Sequence, residues 1–254
     1  MTKKRILLKI GSNTLTKETD QISRGKIEDI GRQIAHLRDS HEFIIVSSGA
    51  IAAAKQFVKL EHHGAEINLK QALAAIGQPH LMRMFQESFR ELGLFASQCL
   101  LSYSDFENPK AKANIKNTID ILVANHSIPI INENDTVAAD EIQFGDNDKL
   151  AALTAVLLKA DLLMIATNTN GIYTKDSLEN GKPETIREVS GISGLQQEIS
   201  TAKSTHGTGG MQSKIEAATI AQKGGISTWI VNGLKDNFIE NALRGLGKHT
   251  KINC

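Results

Sequence analysis

Lys9-Ile10-Gly11-Ser12-Asn13 places a lysine at the end of an apolar run and just before a glycine, so an ammonium group and bare backbone N–H groups meet in one turn. That combination attracts an anion; a strand-end lysine reaching back to solvent is the alternative. Ser47-Ser48-Gly49-Ala50-Ile51-Ala52 leads from a second apolar run into an alanine-rich stretch, with free N–H groups suited to a carboxylate or phosphate. Simple capping by Ser47 or Ser48 would leave the same residues there. Asn132-Glu133-Asn134-Asp135 and Phe144-Gly145-Asp146-Asn147-Asp148-Lys149-Leu150 gather four carboxylates and three amides in two short loops, and this much acid needs a cation nearby. Some of it is helix capping and dipole compensation. An EF-hand calcium loop does not fit, because its spacing and its twelfth-position glutamate are missing. Thr205-His206-Gly207-Thr208-Gly209-Gly210-Met211-Gln212-Ser213-Lys214 is a glycine-rich loop opening a helix with a lysine one turn in, which suits phosphate. It has neither the Walker A spacing nor a complete G-x-G-x-x-G, and His206 reads as a solvated loop residue.

These stretches need a scaffold that brings their loops together. Short β-branched runs alternate with longer segments of helical period, the pattern of crossover units around a mostly parallel sheet. Strands are predicted at 5–10, 43–47, 95–101, 128–132, 162–167 and 228–231, several of them continuously apolar, as strands buried on both faces are. Helical stripes are formed by Ile27, Ile30, Ile34 and Leu37 after a Ser23 cap, and by Leu81, Phe85, Phe89 and Leu92 after a first-turn Pro79. Two more comprise Ile115, Ile119, Leu122 and Val123, then Leu150, Leu153 and Leu157. A final helix from Met211 to Lys223 ends at Gly224-Gly225, which supply a left-handed turn. Residues 168–194, rich in Gly, Asn and charge, read as hairpins or loops projecting from the sheet and able to form a lid. In open α/β sheets ligands bind at the carboxyl ends of the strands, which is where these stretches fall.

The 254 residues, 41% hydrophobic with 20 glycines and 4 prolines, suffice for one sizeable core, and no linker divides them, so a single domain over 1–254 is expected. Charge is balanced, 29 basic against 28 acidic residues, which gives no reason to expect nucleic acid or a membrane as partner. Any anionic ligand must therefore be held by a few placed residues. Cys99 and Cys254 lie far apart, so neither a disulfide framework nor a zinc cluster is indicated and a reduced, cytoplasmic setting is expected. Apolar runs fall short of the roughly 18 residues that span a bilayer. The basic start is interrupted at Lys9 and Gly11, too early for a signal peptide.

Taken in order, Lys9 with Gly11-Ser12, Ser48-Gly49-Ala50, Asn132-Glu133-Asn134-Asp135, Gly145-Asp146-Asn147-Asp148 and the stretch from Gly207 to Lys214 closely resemble the glutamate 5-kinase branch of the amino-acid kinase superfamily. The resemblance covers essentially the whole chain. Other branches, such as acetylglutamate and UMP kinases, carry glycine triplets or pairs where this chain has Gly11-Ser12-Asn13 and Ser48-Gly49-Ala50. The resemblance implies a three-layer αβα sandwich around a mostly parallel sheet of about eight strands. It implies that ATP, with Mg2+, phosphorylates the γ-carboxylate of L-glutamate at the first step of proline synthesis.

It further implies catalytic roles for Lys9, Asp148 and Lys214, the lysines on the transferring phosphoryl group and Asp148 orienting both. Ser48, Gly49, Ala50, Asp135 and Asn147 would bind glutamate, with Asp135 suited by charge to the α-ammonium. Lys9, Gly11, Thr167, Asn168, Thr208, Gly209, Gly210, Met211, Gln212, Ser213 and Lys214 match nucleotide-binding positions; Asn168 departs from the family's usual aspartate and removes a charge. No residue is assigned to the metal, because Mg2+ keeps ATP phosphates and water around it. The family also implies a homodimer or tetramer, proline feedback inhibition and a reductase that consumes the labile acyl phosphate. Its common C-terminal PUA domain is not expected in a chain ending at Cys254. Two other readings stay open on the residues alone: a related kinase with another acceptor, and a ligand-sensing module on the same fold. A dinucleotide oxidoreductase is disfavoured by the missing glycine fingerprint.

Overall fold

The β-branched runs pair into one eight-stranded sheet in the computed structural model, which describes residues 3–61, 65–138, 147–192, 195 and 210–254. The strands are β1 (Lys4–Ile10), β2 (His41–Ser47), β3 (Phe95–Leu101), β4 (Ser127–Glu133), β5 (Leu162–Thr167), β6 (Glu188–Val189), β7 (Ser227–Asn232) and β8 (Thr250–Ile252). Their spatial order is β3-β4-β2-β1-β5-β7-β8-β6. Pairings from β3 across to β7 are parallel, whereas β8 runs antiparallel to β7 and pairs in parallel with β6. This is the mostly parallel sheet of about eight strands that the resemblance implied.

Alternation along β1 sorts its side chains between two layers. Ile6, Leu8 and Ile10 pack with Ile27, Ile30 and Ile34 of α2 (Arg24–Leu37), with Ala53 of α3 (Ala50–Lys55), and with Leu81, Phe85 and Phe89 of α4 (Glu66–Arg90). Leu7 packs on the other side with Ile119 of α5 (Pro109–Ala124), with Leu150 and Ala151 of α6 (Asp148–Leu157), and with Ala217 and Ala221 of α8 (Met211–Lys223). Lys9 shares the parity of Leu7, so its ammonium is delivered to the layer that holds α6 and α8. Short helices α1 (Ser12–Thr16), α7 (Lys175–Glu179) and α9 (Phe238–Leu243) complete the set among the described residues.

Local signals account for most boundaries. Ser23 accepts the Lys26 N–H at 3.2 Å, and Asn108 caps α5 ahead of Pro109. After α8 the left-handed residue is Gly225, at φ +75°. Pro79 does not open a helix; it lies inside α4, which begins at Glu66. A proline removes one N–H, and buried Leu73 and Ala74 before it and Leu81 and Met82 after it carry the helix through. Residues 168–192 are tied to the sheet: Tyr173 bridges Thr185, and β6 pairs with β8. No helix among the described residues is long and apolar enough to cross a membrane.

Candidate active site

Parallel register aligns the carboxyl ends of the central strands along one edge: Ile10 pairs with Ser47 and with Ala166, and Thr167 with Asn232. Strands β2 to β4 lie on one side of β1 and β5 to β8 on the other. The strand order thus reverses at β1, and the loops leaving β1 and its neighbours diverge to open a crevice.

Lys9 is at the end of that strand. Its Nζ lies 2.5 Å from Asp148 Oδ1, while Lys214 Nζ lies 2.9 Å from Asp148 Oδ2. Asp148 begins α6 and Lys214 sits one turn into α8, and the three side chains are 3%, 0% and 7% exposed in the order Lys9, Asp148, Lys214. Burial alone would raise the Asp148 carboxyl, but the two ammonium groups outweigh it and hold it at about 2. Ser213 Oγ is 3.1 Å from the same carboxylate and 2.8 Å from the Gly210 carbonyl, fixing the start of α8 beside it. Two buried ammonium groups brought to one strand end give a place where an anionic ligand would be favoured. A β-carbon on Gly11 would stand 3.6 Å from Lys9 Nζ, so glycine keeps a side chain off the ammonium.

On the β2–β4 side, Asn147 binds three acceptors through Nδ2: the Ser47 carbonyl at 2.9 Å, Ser48 Oγ at 3.1 Å and Asn132 Oδ1 at 2.8 Å. Ser48 and Asn147, 99 residues apart in the chain, are thereby joined. Gly49 takes φ +108°, a conformation open to glycine, and turns the chain into α3 at Ala50. Asp135 follows β4 on the same edge; burial first, and the Glu133 carboxylate second, push its carboxyl up to about 6. Asn132 and Gln78, which the site assignment from sequence omitted, belong to this side as well: Asn132 Nδ2 donates to Gln78 Oε1 at 2.8 Å. Gln78 was hidden inside an apolar helical stripe, where a glutamine next to Gly77 and Pro79 was the available signal.

On the β5–β7 side, Thr167 ends β5 and Asn168 Nδ2 donates to Glu18 Oε1 at 3.0 Å. A carboxylate thus stands beside Asn168, contributed by the turn after α1. Gly210 opens α8 and makes no side-chain cap of its own, so the helix start presents backbone N–H groups of the kind that bind anions. Gln212, one residue past Met211, is turned along the helix to Glu216 at 3.2 Å. Thr208, Gly209, Gly145, Asp146 and His206 lie outside the described residues.

A family model described as the amino acid kinase family matches residues 4–232. The chain belongs to that family. Among its relatives, the glutamate 5-kinase of Alkaliphilus metalliredigens is 40% identical over 249 residues, 97% of this chain and 94% of that one. The glutamate 5-kinase of Salmonella newport is 37% identical over 251 residues, 98% of this chain and 68% of that one. Solved structures share the fold at lower identity. Carbamate kinase from Giardia lamblia bound to AMP-PNP superposes with a TM-score of 0.69 at 17% identity, covering 99% of this chain and 98% of that one. UMP kinase from Ureaplasma parvum gives a TM-score of 0.63 at 20% identity, covering 100% of both. In this amino acid kinase, then, the described parts of the five sequence stretches bring Lys9, Asp148 and Lys214 together, with Ser48 joined to Asn147 on the β2–β4 side and Asn168 on the β5–β7 side.

Proposed function

We propose that this kinase transfers the γ-phosphoryl group of ATP to the γ-carboxylate of L-glutamate, giving γ-glutamyl phosphate as the first step of proline synthesis. The observation that carries the reading is the buried triad of Lys9, Asp148 and Lys214. Identities of 37 and 40% to glutamate 5-kinases across nearly the whole chain support the acceptor. The γ-carboxylate of free glutamate, with an unperturbed pKa of about 4.3, is already ionised at neutral pH, so no general base is needed. The difficulty is electrostatic: two anions must meet in line, and charge spreads over the transferred group in a loose transition state. Lys9 and Lys214 would stabilise that charge from two sides, in a water-poor place where such contacts count most. Asp148 would aim both ammonium groups and, held far below neutrality, would stay ionised throughout.

Ser48, the backbone at Gly49 and Ala50, Asn147 and ionised Asp135 would hold glutamate. Gly11, Thr167, Asn168, Gly210, Met211, Gln212 and Ser213, with Thr208 and Gly209, would hold the nucleotide. No three His, Cys, Asp or Glu side chains gather to bind a metal among the described residues, and both Asp148 oxygens face lysines. That arrangement fits a Mg2+ carried by ATP phosphates and water rather than by a protein cage. Such an ion would neutralise the β- and γ-phosphate oxygens. A cytoplasmic setting, a homo-oligomer, proline feedback and a reductase that consumes the acyl phosphate belong to the same proposal.

The test is ADP release by the purified chain with Mg-ATP, comparing L-glutamate with acetylglutamate, aspartate, UMP and no acceptor, with hydroxylamine to trap an acyl phosphate. Glutamate-dependent ADP release with matching γ-hydroxamate is expected. Turnover with another acceptor would overturn the acceptor assignment, and nucleotide and glutamate binding without turnover would overturn the kinase reading.

A further inference from the structure

Four side-chain amides form a single file from the outer strand to the glutamate subsite. Gln78 Nε2 donates to Gln98 Oε1 at 3.0 Å, Asn132 Nδ2 to Gln78 Oε1 at 2.8 Å, and Asn147 Nδ2 to Asn132 Oδ1 at 2.8 Å. Two backbone groups settle which way these amides point. The Glu133 N–H can only donate, so the Asn132 atom 2.9 Å from it is oxygen; the Ser47 carbonyl can only accept, so the Asn147 atom 2.9 Å from it is nitrogen. With Asn132 oxygen turned to Glu133 and Asn147, its nitrogen must face α4, where Gln78 Oε1 receives it. Every amide in the file then has the same sense, with donors toward β3 and oxygens toward the strand-end crevice.

The file ends on Asn147 Oδ1. This oxygen is buried in a residue only 2% exposed and has no hydrogen-bond partner among the described residues. A buried acceptor without a donor is costly, so one supplied by a ligand is the natural complement. Aligned amide dipoles strengthen one another and make this terminal oxygen the negative end of the file. Such an oxygen would receive a protonated amine, and Asp135, in the turn after β4, is the carboxylate that the acceptor reading assigns to the same amine.

We propose that Gln78 is a positioning residue that sets specificity for an acceptor with a free α-ammonium, by holding Asn132 and hence Asn147 Oδ1 in the receiving orientation. This rests on the acceptor reading above. Without an acceptor at position 78, the buried Asn132 nitrogen has no partner, and its amide, still held at the oxygen by the Glu133 N–H, swings about that bond toward another acceptor. Asn147 keeps its bond to the Ser47 carbonyl but loses alignment with Asn132 Oδ1, so its amide plane is no longer fixed and its own oxygen is displaced from the receiving position. Glutarate, which is glutamate without the amine, gains nothing from the file and serves as the internal control.

The experiment compares the wild-type chain with Gln78→Met, which keeps volume but removes the acceptor, and Gln78→Glu, which keeps the acceptor oxygen. Steady-state KM values for L-glutamate and ATP and the inhibition constant of glutarate are measured. In Gln78→Met the glutamate KM is expected to rise roughly tenfold or more, the effect of leaving a buried hydrogen bond unmade. The ATP KM and the glutarate constant should stay within about twofold, and Gln78→Glu, which keeps the acceptor for Asn132 and takes a donor from Gln98 once that amide turns over, should recover most of the loss. A glutamate KM within twofold of wild type in Gln78→Met, or an equal rise in the glutarate constant, would overturn the assignment. If Gln78→Met does not fold, Gln98→Leu, which removes the partner of Gln78 Nε2, must raise the glutamate KM in the same selective way; no change would sink the proposal. Failure of the wild-type chain to form any γ-glutamyl phosphate would count against the acceptor reading alone. The amide file would then be judged by the Asn132 and Asn147 side-chain nitrogen resonances, which must shift in Gln78→Met.

Discussion

Asp148 is the residue on which the proposed chemistry turns, because its two oxygens each face one lysine. Replacing Lys9 or Lys214 by Ala is expected to lower kcat by roughly 10²-fold or more, the loss of one preorganised charge at the transition state. Single-turnover ADP formation by the folded variants checks it, and near-normal turnover would remove the role from that lysine. The triad residues were legible in the sequence as a charge before a glycine, an acid at a helix start and a lysine after a glycine loop. Their meeting was not, since it depends on β1 parity and on the packing of α6 against α8. Asp135 makes a different kind of prediction. Its carboxyl is raised from 3.8 to about 6 in the fold, so ionising it costs stability; that cost is absent below pH 3.8, grows as pH rises and is complete above about 6. Asp135→Asn should therefore raise stability at pH 7.5 by roughly 1–2 kcal/mol, after allowance for partial exposure, and leave it unchanged at pH 3.5. The same variant should raise the glutamate KM far more than the ATP KM. Melting curves at the two pH values decide the first part: a variant no more stable than wild type at pH 7.5 would show that Asp135 is not strained.

At the scale of elements, the Ser48-Gly49 turn, assigned to glutamate in the proposed function, is set by the contact of α3 with α4. A β-carbon on Gly77 would stand 1.8 Å from the Ala50 carbonyl oxygen and 2.7 Å from the Ala54 nitrogen. Both are backbone atoms, so α3 itself must move to admit it. Gly77→Ala is expected to cost on the order of 2–3 kcal/mol, as overpacking of a tight contact does. It should also raise the glutamate KM while sparing the ATP KM, because α3 begins at the Ser48-Gly49 turn, the turn assigned to glutamate. Thermal melting with parallel kinetics checks both, and an equal rise in the two KM values would mean that α3 serves the whole crevice. The demand for glycine here comes from a neighbour in space, which is why Ser48-Gly49-Ala50 could be read in the chain and Gly77-Gln78 could not. The strands divide the same way. The six predicted strands are recovered within a residue or two at each end because short runs rich in apolar residues, β-branched in all but β3, mark them. The two missed strands, Glu188–Val189 and Thr250–Ile252, are too short for a periodic signal and exist through pairing with each other and with β7.

At the scale of the whole molecule, β1 divides the crevice. Glutamate contacts are assigned to the loops of β2 and β4, nucleotide contacts to those of β5 and α8, and the triad alone joins them. Such a division predicts that changes on opposite sides act independently, whereas changes to the triad do not. Asn168→Asp is the informative change on the nucleotide side, since it brings a carboxylate to the position from which Asn168 now donates to Glu18 at 3.0 Å. Two carboxylates at that distance repel, so the ATP KM should rise severalfold, with the glutamate KM within twofold. Removing the second charge by Glu18→Gln in the Asn168→Asp background should restore it. Combined with Asp135→Asn, the free-energy effects on kcat/KM should add to within about 0.5 kcal/mol, as for residues that share no partner. Lys214→Ala combined with either should depart from additivity, because the triad serves both substrates at once. A coupling above about 1 kcal/mol between Asp135→Asn and Asn168→Asp would place the two substrates in one continuous subsite, and the strand-order reversal at β1 would then position the triad without separating its ligands.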